Sequence, residues 1–138
     1  MPEKRTVEQA KKDLREGKSP TTAAGEFVRE EIEHVRQGKH GARSTKQAIA
    51  IGLSKARRSG VPLKPPRKGQ TSRRTRRSAE RAYEVGQRKR KPRSPSKRRS
   101  QATRKALRRE GRRAASRPAL SAQARRAAAR RRRTRSRR

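Results

Sequence analysis

Net charge limits what this chain can fold into more than any motif does. Its 138 residues carry 46 Lys and Arg against 11 Asp and Glu, which gives a formal net charge of +35. Like charge at this density destabilises a compact monomer unless a polyanion offsets it, and nucleic acid is the polyanion we expect. A membrane surface is disfavoured, because such binding usually also needs apolar or aromatic anchors. The chain has only two aromatic residues, Phe27 and Tyr83.

The charge and the large apolar residues are distributed in opposite directions. Residues 1–36 hold eight basic and eight acidic side chains, residues 37–70 hold nine basic and no acidic, and residues 71–138 hold 29 basic and three acidic. After Leu63 the only large apolar or aromatic residues are Tyr83, Val85, Leu107 and Leu120. Burial in such a segment is expected not to offset the entropy of ordering its backbone. We therefore predict a small helical head (1–60), a Pro-rich linker (61–72) and a polycationic low-complexity tail (73–138).

The head shows helical periodicity in three segments, each followed by a glycine that is typical of a helix end. The apolar positions are Val7, Ala10 and Leu14 in the first segment, Ala24, Phe27, Val28, Ile32 and Val35 in the second, and Ile49, Leu53 and Ala56 in the third. The predicted fold class is all-α: about three short helices followed by a largely disordered or conditionally helical Arg-rich tail. Helix-capable tail segments are "SAERAYEVG", "SQATRKALRREGRRAAS" and "PALSAQARRAAARRRR", but we expect charge repulsion to keep them largely unfolded in the free chain.

Two features of the second and third helices allow more than one interpretation. The glutamates of the second helix, Glu26, Glu30, Glu31 and Glu33, are expected mostly to face water. Gly52 lies in the middle of the third helix, where glycine costs about 0.5–1 kcal/mol relative to alanine. Either the close approach of another helix or neutral sequence drift accounts for it. The third helix is expected to pack as core, with its ends touching phosphate, rather than to read bases.

The basic clusters of the tail are the strongest functional signal. Arg supplies 25 of the 29 tail cations, and its planar guanidinium binds phosphate oxygens in a bidentate manner. The predicted nucleic-acid-binding residues of the tail are Arg73, Arg74, Arg76, Arg77, Arg88, Lys89, Arg90, Lys91, Arg93, Lys97, Arg98, Arg99, Arg130, Arg131, Arg132 and Arg133. Those of the head are Lys39, His40, Arg43, Lys46, Lys55, Arg57 and Arg58. A merely solvated tail is the less favoured interpretation.

The segment "GKHGARSTKQ" (38–47) is a candidate phosphate site within the head. A basic, Gly-rich loop that leads into a helix N-terminus is suited to anion binding. An ordinary inter-helix loop explains the same residues equally well, and the sequence leaves both interpretations open.

Catalytic and metal chemistry are not expected. The chain contains no cysteine, and two histidines, His34 and His40, without a clear third ligand make a poor metal site. No phosphate-binding loop of the GxxxxGK[ST] or GxGxxG type occurs, and no catalytic set of side chains is evident. We therefore predict a protein that is not an enzyme and has no cofactor. We also expect no secretory signal and no membrane-spanning segment.

The run "GKHGARSTKQAIAIGLSKARRSGVPL" (38–63) resembles the signature of a family of small basic bacterial proteins of unknown function, which carry a KQAIAIGLSxARRxG core. The preceding "AGEFVREEIEHVRQGKHG" resembles the upstream part of that family, so the resemblance covers about residues 5–65. It implies a family but no activity. The tail resembles bacterial linker-histone-like proteins in composition only.

These observations predict a sequence-nonspecific DNA-binding protein that acts by phosphate neutralisation, histone-like and associated with the cytoplasmic nucleoid. One alternative is an RNA-binding or ribosome-associated basic protein, since Arg-rich segments also bind RNA. Another is an adaptor whose head recruits a protein partner, or forms a homo-oligomer, while the tail anchors it to nucleic acid.

Overall fold

The protein is helical along its length in a computed structural model that describes residues 2–137. Within those residues the elements are α1 (Lys4–Arg15), α2 (Pro20–Arg36), α3 (Thr45–Arg58), α4 (Arg73–Gly86), α5 (Lys97–Arg109), a short 3-10 turn (Arg113–Ala115) and α6 (Arg117–Ser136). The first three helices lie where the head was predicted to be helical. The chain divides into two compact units, Met1–Glu31 with Ile49–Ser96 and Ile32–Ala48 with Lys97–Arg138. Each unit combines residues of the head with residues of the tail.

The prediction of a largely disordered tail is wrong. Residues 73–136 form three α-helices separated by short connections, and four tail alanines are buried: Ala79, Ala82, Ala114 and Ala115. Counting large apolar residues missed this packing, because alanine brings helix backbones close together without a large side chain. Alanine is also the strongest intrinsic helix former, which favours the Ala/Arg-rich segments as helices.

The core of the first unit is built mainly from small residues around one aromatic ring. Phe27 is fully buried. It belongs to a cluster with Ala10, Ala23, Ala24, Ala56 and Val61, against which Val7, Leu14, Leu53 and Leu63 pack. The core therefore joins α1, α2 and α3 to the start of the Pro-rich segment, as the apolar stripes of the head require.

Gly52 marks the close approach of two helices. A Cβ atom added at Gly52 would lie 2.7 Å from the Cα and 2.9 Å from the backbone nitrogen of Val28 in α2. Close packing of α3 on α2 is therefore the physical reason for a glycine in the middle of α3, and drift is not needed to explain it.

Helix α4 packs against the end of α3 within the first unit. Gly86 lies so close to the backbone carbonyl of Arg57 that a side chain would overlap it. The Gln87 side chain donates a hydrogen bond of 3.2 Å to the carbonyl of Gly60. Ala79 and Ala82 on the same helix are buried. The first tail helix thus has a docking site of its own, made largely of backbone.

The second unit joins the loop after α2 to the end of α5 and the 3-10 turn. The Gly41 amide donates to the carbonyl of Leu107 at 2.8 Å, and the Ala42 amide donates to that of Gly111 at 3.2 Å. Thr45 Oγ1 donates to the carbonyl of Ala114 at 2.6 Å. Backbone polar groups that would otherwise need water are satisfied by tail backbone.

Arg36 and Gly41 complete this docking. Arg36 Nε donates to the carbonyl of Ala115 at 2.9 Å. A Cβ atom at Gly41 would overlap the carbonyl of Glu110, so glycine is required where the two backbones meet.

Asp13 is a buried carboxylate near the end of α1, with 2% of its surface exposed. Its Oδ1 accepts hydrogen bonds from Gln9 Nε2 at 3.0 Å and from Lys18 Nζ at 3.2 Å. Burial alone raises the pKa of Asp13, but these hydrogen bonds and the charges of Lys18 and Lys12 outweigh it, so the pKa lies below its ordinary value of 3.8.

Gly52→Ala is expected to destabilise the protein although alanine is the better helix former. The added methyl group must displace the backbone of α2, and overpacking of this kind typically costs about 1–3 kcal/mol. Gly25→Ala in α2 is the matched control, because nothing lies within 4 Å of its Cβ position. There the change should stabilise by up to about 1 kcal/mol. Thermal unfolding followed by circular dichroism measures both, and equal effects would contradict the close contact.

Asp13→Asn should lower the melting temperature at neutral pH. Because the pKa of the folded state is depressed, the stabilising charge is present above the unfolded-state value of about 3.9 and is lost as the pH falls through the folded-state value. The difference in melting temperature between wild type and variant should therefore have its full size above about pH 4 and shrink towards zero below it. A difference that does not shrink at any acidic pH at which the protein stays folded would show that the charge of Asp13 is not what stabilises the protein here.

Gly41→Ala tests the docking of the tail on the head loop. The methyl group would meet the carbonyl of Glu110, so we expect a loss of about 1–3 kcal/mol and faster hydrogen exchange at the amides of Gly41 and Ala42. Gly111→Ala is the control, since nothing lies within 4 Å of its Cβ position. If both variants melt like the wild type, the tail does not contact the loop in this way.

Candidate nucleic-acid interface

The tail cations of the first unit lie mostly at its surface. Those on the first turns of α4 (Arg73, Arg74 and Arg77) and in the following segment (Arg88, Lys89, Arg90, Lys91 and Arg93) are exposed. Ser72 caps α4 by accepting a hydrogen bond from the Thr75 amide, which fixes where the helix begins. Two cations have acidic neighbours: Arg76 Nε lies 3.6 Å from a carboxylate oxygen of Glu80, and Arg90 Nε lies 2.7 Å from one of Glu84. These two are therefore partly neutralised within the chain.

The tail cations of the second unit that were predicted to bind nucleic acid lie in two exposed runs. Lys97, Arg98 and Arg99 lie on the first turn of α5, and Arg130, Arg131, Arg132 and Arg133 lie on the last turns of α6. Ser116 caps α6 by accepting from the Ala119 amide, and Pro118 occupies the first turn, as expected of a helix start. Every described residue of α6 from Ala129 onward is exposed.

The loop at residues 38–47, a candidate phosphate site, has backbone amides that are hydrogen-bonded within the chain. The amides of Gly41 and Ala42 bond to tail carbonyls, so of the two interpretations of this segment, the inter-helix loop is favoured. His40 is half-buried, with Nδ1 2.9 Å from the carbonyl oxygen of Gly41 and its ring edge-on to that of His34. Lys39, Arg43 and Lys46 are exposed at the surface of this unit.

The three basic residues at the end of α3 lie in different environments. Arg58 is exposed. Lys55 forms an ion pair with Glu31. Arg57 is buried, and its guanidinium donates to the carbonyls of Leu63 at 3.1 Å and Lys64 at 3.4 Å. Burial lowers the pKa of Arg57. Its contacts hold the Pro-rich segment against α3, so its guanidinium is engaged within the chain.

Two of the glutamates expected to face water are buried. Glu31 is fully buried and pairs with Lys55, while Glu30 is 6% exposed and accepts hydrogen bonds from the Glu3 amide and the Thr6 hydroxyl. The expectation was wrong for Glu30 and Glu31. The sequence contained a signal for the burial of Glu31, because this residue lies four positions from both Phe27 and Val35 and so shares their helical face.

One groove in the second unit brings together some residues that were predicted to bind nucleic acid and others that were not. It encloses about 370 Å³. It is lined by Lys46 from the first turn of α3 and by Gln123, Arg126, Ala129, Arg130 and Arg133 from α6. Arg126 and Gln123 were missed because they lie outside the densest basic run. Their spacing to Arg130 and Arg133, in steps of three and four, was the available signal.

None of the helices in residues 2–137 combines the length and the apolar content needed to cross a bilayer.

Comparison with known protein families gives a match over the N-terminal part of the chain. It is a family of unknown function (DUF6496), and it covers residues 3–69, slightly less than half of the chain. No curated protein and no solved structure matches. The resemblance of the head to a family of unknown function is thus confirmed over nearly the predicted range, whereas the KQAIAIGLSxARRxG core stays a prediction. The N-terminal half of this chain is therefore similar to the DUF6496 family.

Proposed function

We propose that this protein binds nucleic acid without sequence preference, with duplex DNA favoured, and acts as a histone-like protein that neutralises backbone phosphates. The supporting observation is the exposed positive charge of the folded tail, which its few acidic side chains offset only in part. From Gly111 to Arg138 the sequence has twelve arginines and no acidic residue. Each phosphate that a cation neutralises releases condensed counterions, and this release is the main source of nonspecific affinity.

The fold of the tail supports the proposal in a second way. Helices α4, α5 and α6 arrange the cations on ordered surfaces, so the chain does not have to order a polycation when it binds. Binding that also orders a segment loses part of its interaction energy to conformational entropy. A pre-ordered basic surface avoids that loss.

The absence of sequence preference follows from the residue types available. Phosphate contacts fix position on the duplex but carry no sequence information. Asn and Gln are the side chains that pair with adenine, and the chain contains no asparagine. Arg can read guanine, but a chain with 46 Lys and Arg against seven Gln favours contacts to the phosphate backbone.

RNA binding and the adaptor role stay alternative predictions. The same arginine density suits RNA phosphates, so the first experiment compares the two nucleic acids directly. An adaptor would need a protein partner for the head, and that partner would survive nuclease treatment in a pull-down.

Fluorescence anisotropy of the full chain should show tight, strongly salt-dependent binding to a 20-base-pair DNA duplex. With at least six phosphates neutralised, the affinity should fall by about 10³ or more between 50 and 200 mM salt. Duplexes of unrelated sequence should bind within about a factor of two of one another, because the contacts go to phosphates.

An RNA duplex of equal length is the matched comparison. A shallow salt dependence, or affinity that varies strongly with DNA sequence, would contradict phosphate neutralisation as the mechanism. A clear RNA preference that persists at high salt would replace DNA by RNA as the ligand.

A further inference from the structure

The charged residues that line the groove between α6 and the first turn of α3 are all positive. Its polar side chains are four cations and one amide, and the remaining lining residue is alanine. Neither Thr45–Arg58 nor Arg117–Ser136 contains an acidic residue. The groove therefore favours an anionic ligand, and its lining residues offer no carboxylate that would bind a cation.

The spacing of its arginines suits a repeating anion rather than a single one. Arg126, Arg130 and Arg133 lie on one face of α6, and at a rise of 1.5 Å per residue they span about 10 Å along the helix. One strand of a DNA duplex has a phosphate every 3.4 Å along the axis, so about 10 Å of duplex carries about three phosphates per strand. Three guanidinium groups over that length match three phosphates.

Lys46 adds a cation from a second helix to the groove, and Gln123 adds a second kind of donor. Lys46 comes from α3 and the arginines from α6, so a strand lying in the groove would meet positive charge from two helices. The Gln123 amide can donate to a phosphate or sugar oxygen without adding charge. Ala129, between the arginines, leaves room for the ligand.

We propose that this groove holds the sugar–phosphate backbone of one nucleic-acid strand, with Arg126, Arg130, Arg133 and Lys46 each contacting phosphate. The inference rests on the proposed function and deepens it, because it assigns the phosphate contacts of α6 to one face of the helix. On this proposal Arg117, Arg125 and Arg135, on the opposite face of α6, contribute only their long-range field.

The test compares two triple variants of equal charge on the same helix. One is Arg126→Gln, Arg130→Gln and Arg133→Gln on the groove face. The other is Arg117→Gln, Arg125→Gln and Arg135→Gln, three exposed arginines outside the predicted binding set, which at 3.6 residues per turn lie on the opposite face. Affinity for a 20-base-pair duplex is measured across a salt series, after circular dichroism has shown that each variant keeps its helix content.

The groove-face variant should reduce the magnitude of the log–log salt slope by about three, one for each lost phosphate contact. The opposite-face variant should change the slope by less than about one. Equal losses for the two variants would overturn the groove while leaving the proposed function in place. Weak, salt-insensitive binding of the wild type would overturn the proposed function itself.

Lys46→Gln supplies a test that does not alter α6, so it stands even if a triple variant fails to fold. It should reduce the slope by about one, whereas Lys105→Gln on the exposed surface of α5 should change it little. Equal effects of the two lysine changes would overturn the role of Lys46.

The last experiment is a competition with a polyglutamate peptide of the same net charge as the DNA duplex. If the peptide displaced labelled DNA as well as unlabelled DNA does, the groove would not be selective for phosphate.

Discussion

The fold depends on places where two backbones meet with no side chain between them. Gly41 lies against the carbonyl of Glu110, Gly52 against the backbone of Val28, and Gly86 against the carbonyl of Arg57. A chain with so few large apolar residues has little area to bury per helix. Close approach compensates, because short separations bring many atoms into dispersion contact and let buried amides find carbonyl partners.

This packing explains which parts of the fold could be predicted from the sequence. The stripes through Phe27, Val35 and Leu53 gave the head helices, because periodicity reports local structure directly. The order of the tail could not be found in the same way. It depends on the amides of Gly41 and Ala42 bonding to carbonyls about 70 residues away, and no side-chain pattern records where a backbone carbonyl will lie.

The candidate interface shows the same division. Exposure of the dense basic runs followed from composition alone, since long arrays of like charge stay in water. Arg57 was misleading, because its sequence neighbours suggest a surface cation whereas its guanidinium bonds to backbone carbonyls of the Pro-rich segment. Glu31 was also misleading. Its carboxylate suggested an exposed side chain, although its position on the helix placed it on the buried face. For charged residues, position on the helix was the better guide.

The ordered tail also changes what kind of polyelectrolyte this protein is. A flexible polycation adapts to any anion and collapses onto it, so its charges have no fixed separation. Charges on helices of fixed length keep a constant distance from one another, about 1.5 Å of axial rise for each residue. The folded tail therefore holds its arginines at set axial intervals. An anion whose charges repeat at a compatible interval would need less rearrangement to pair with them than an irregular one.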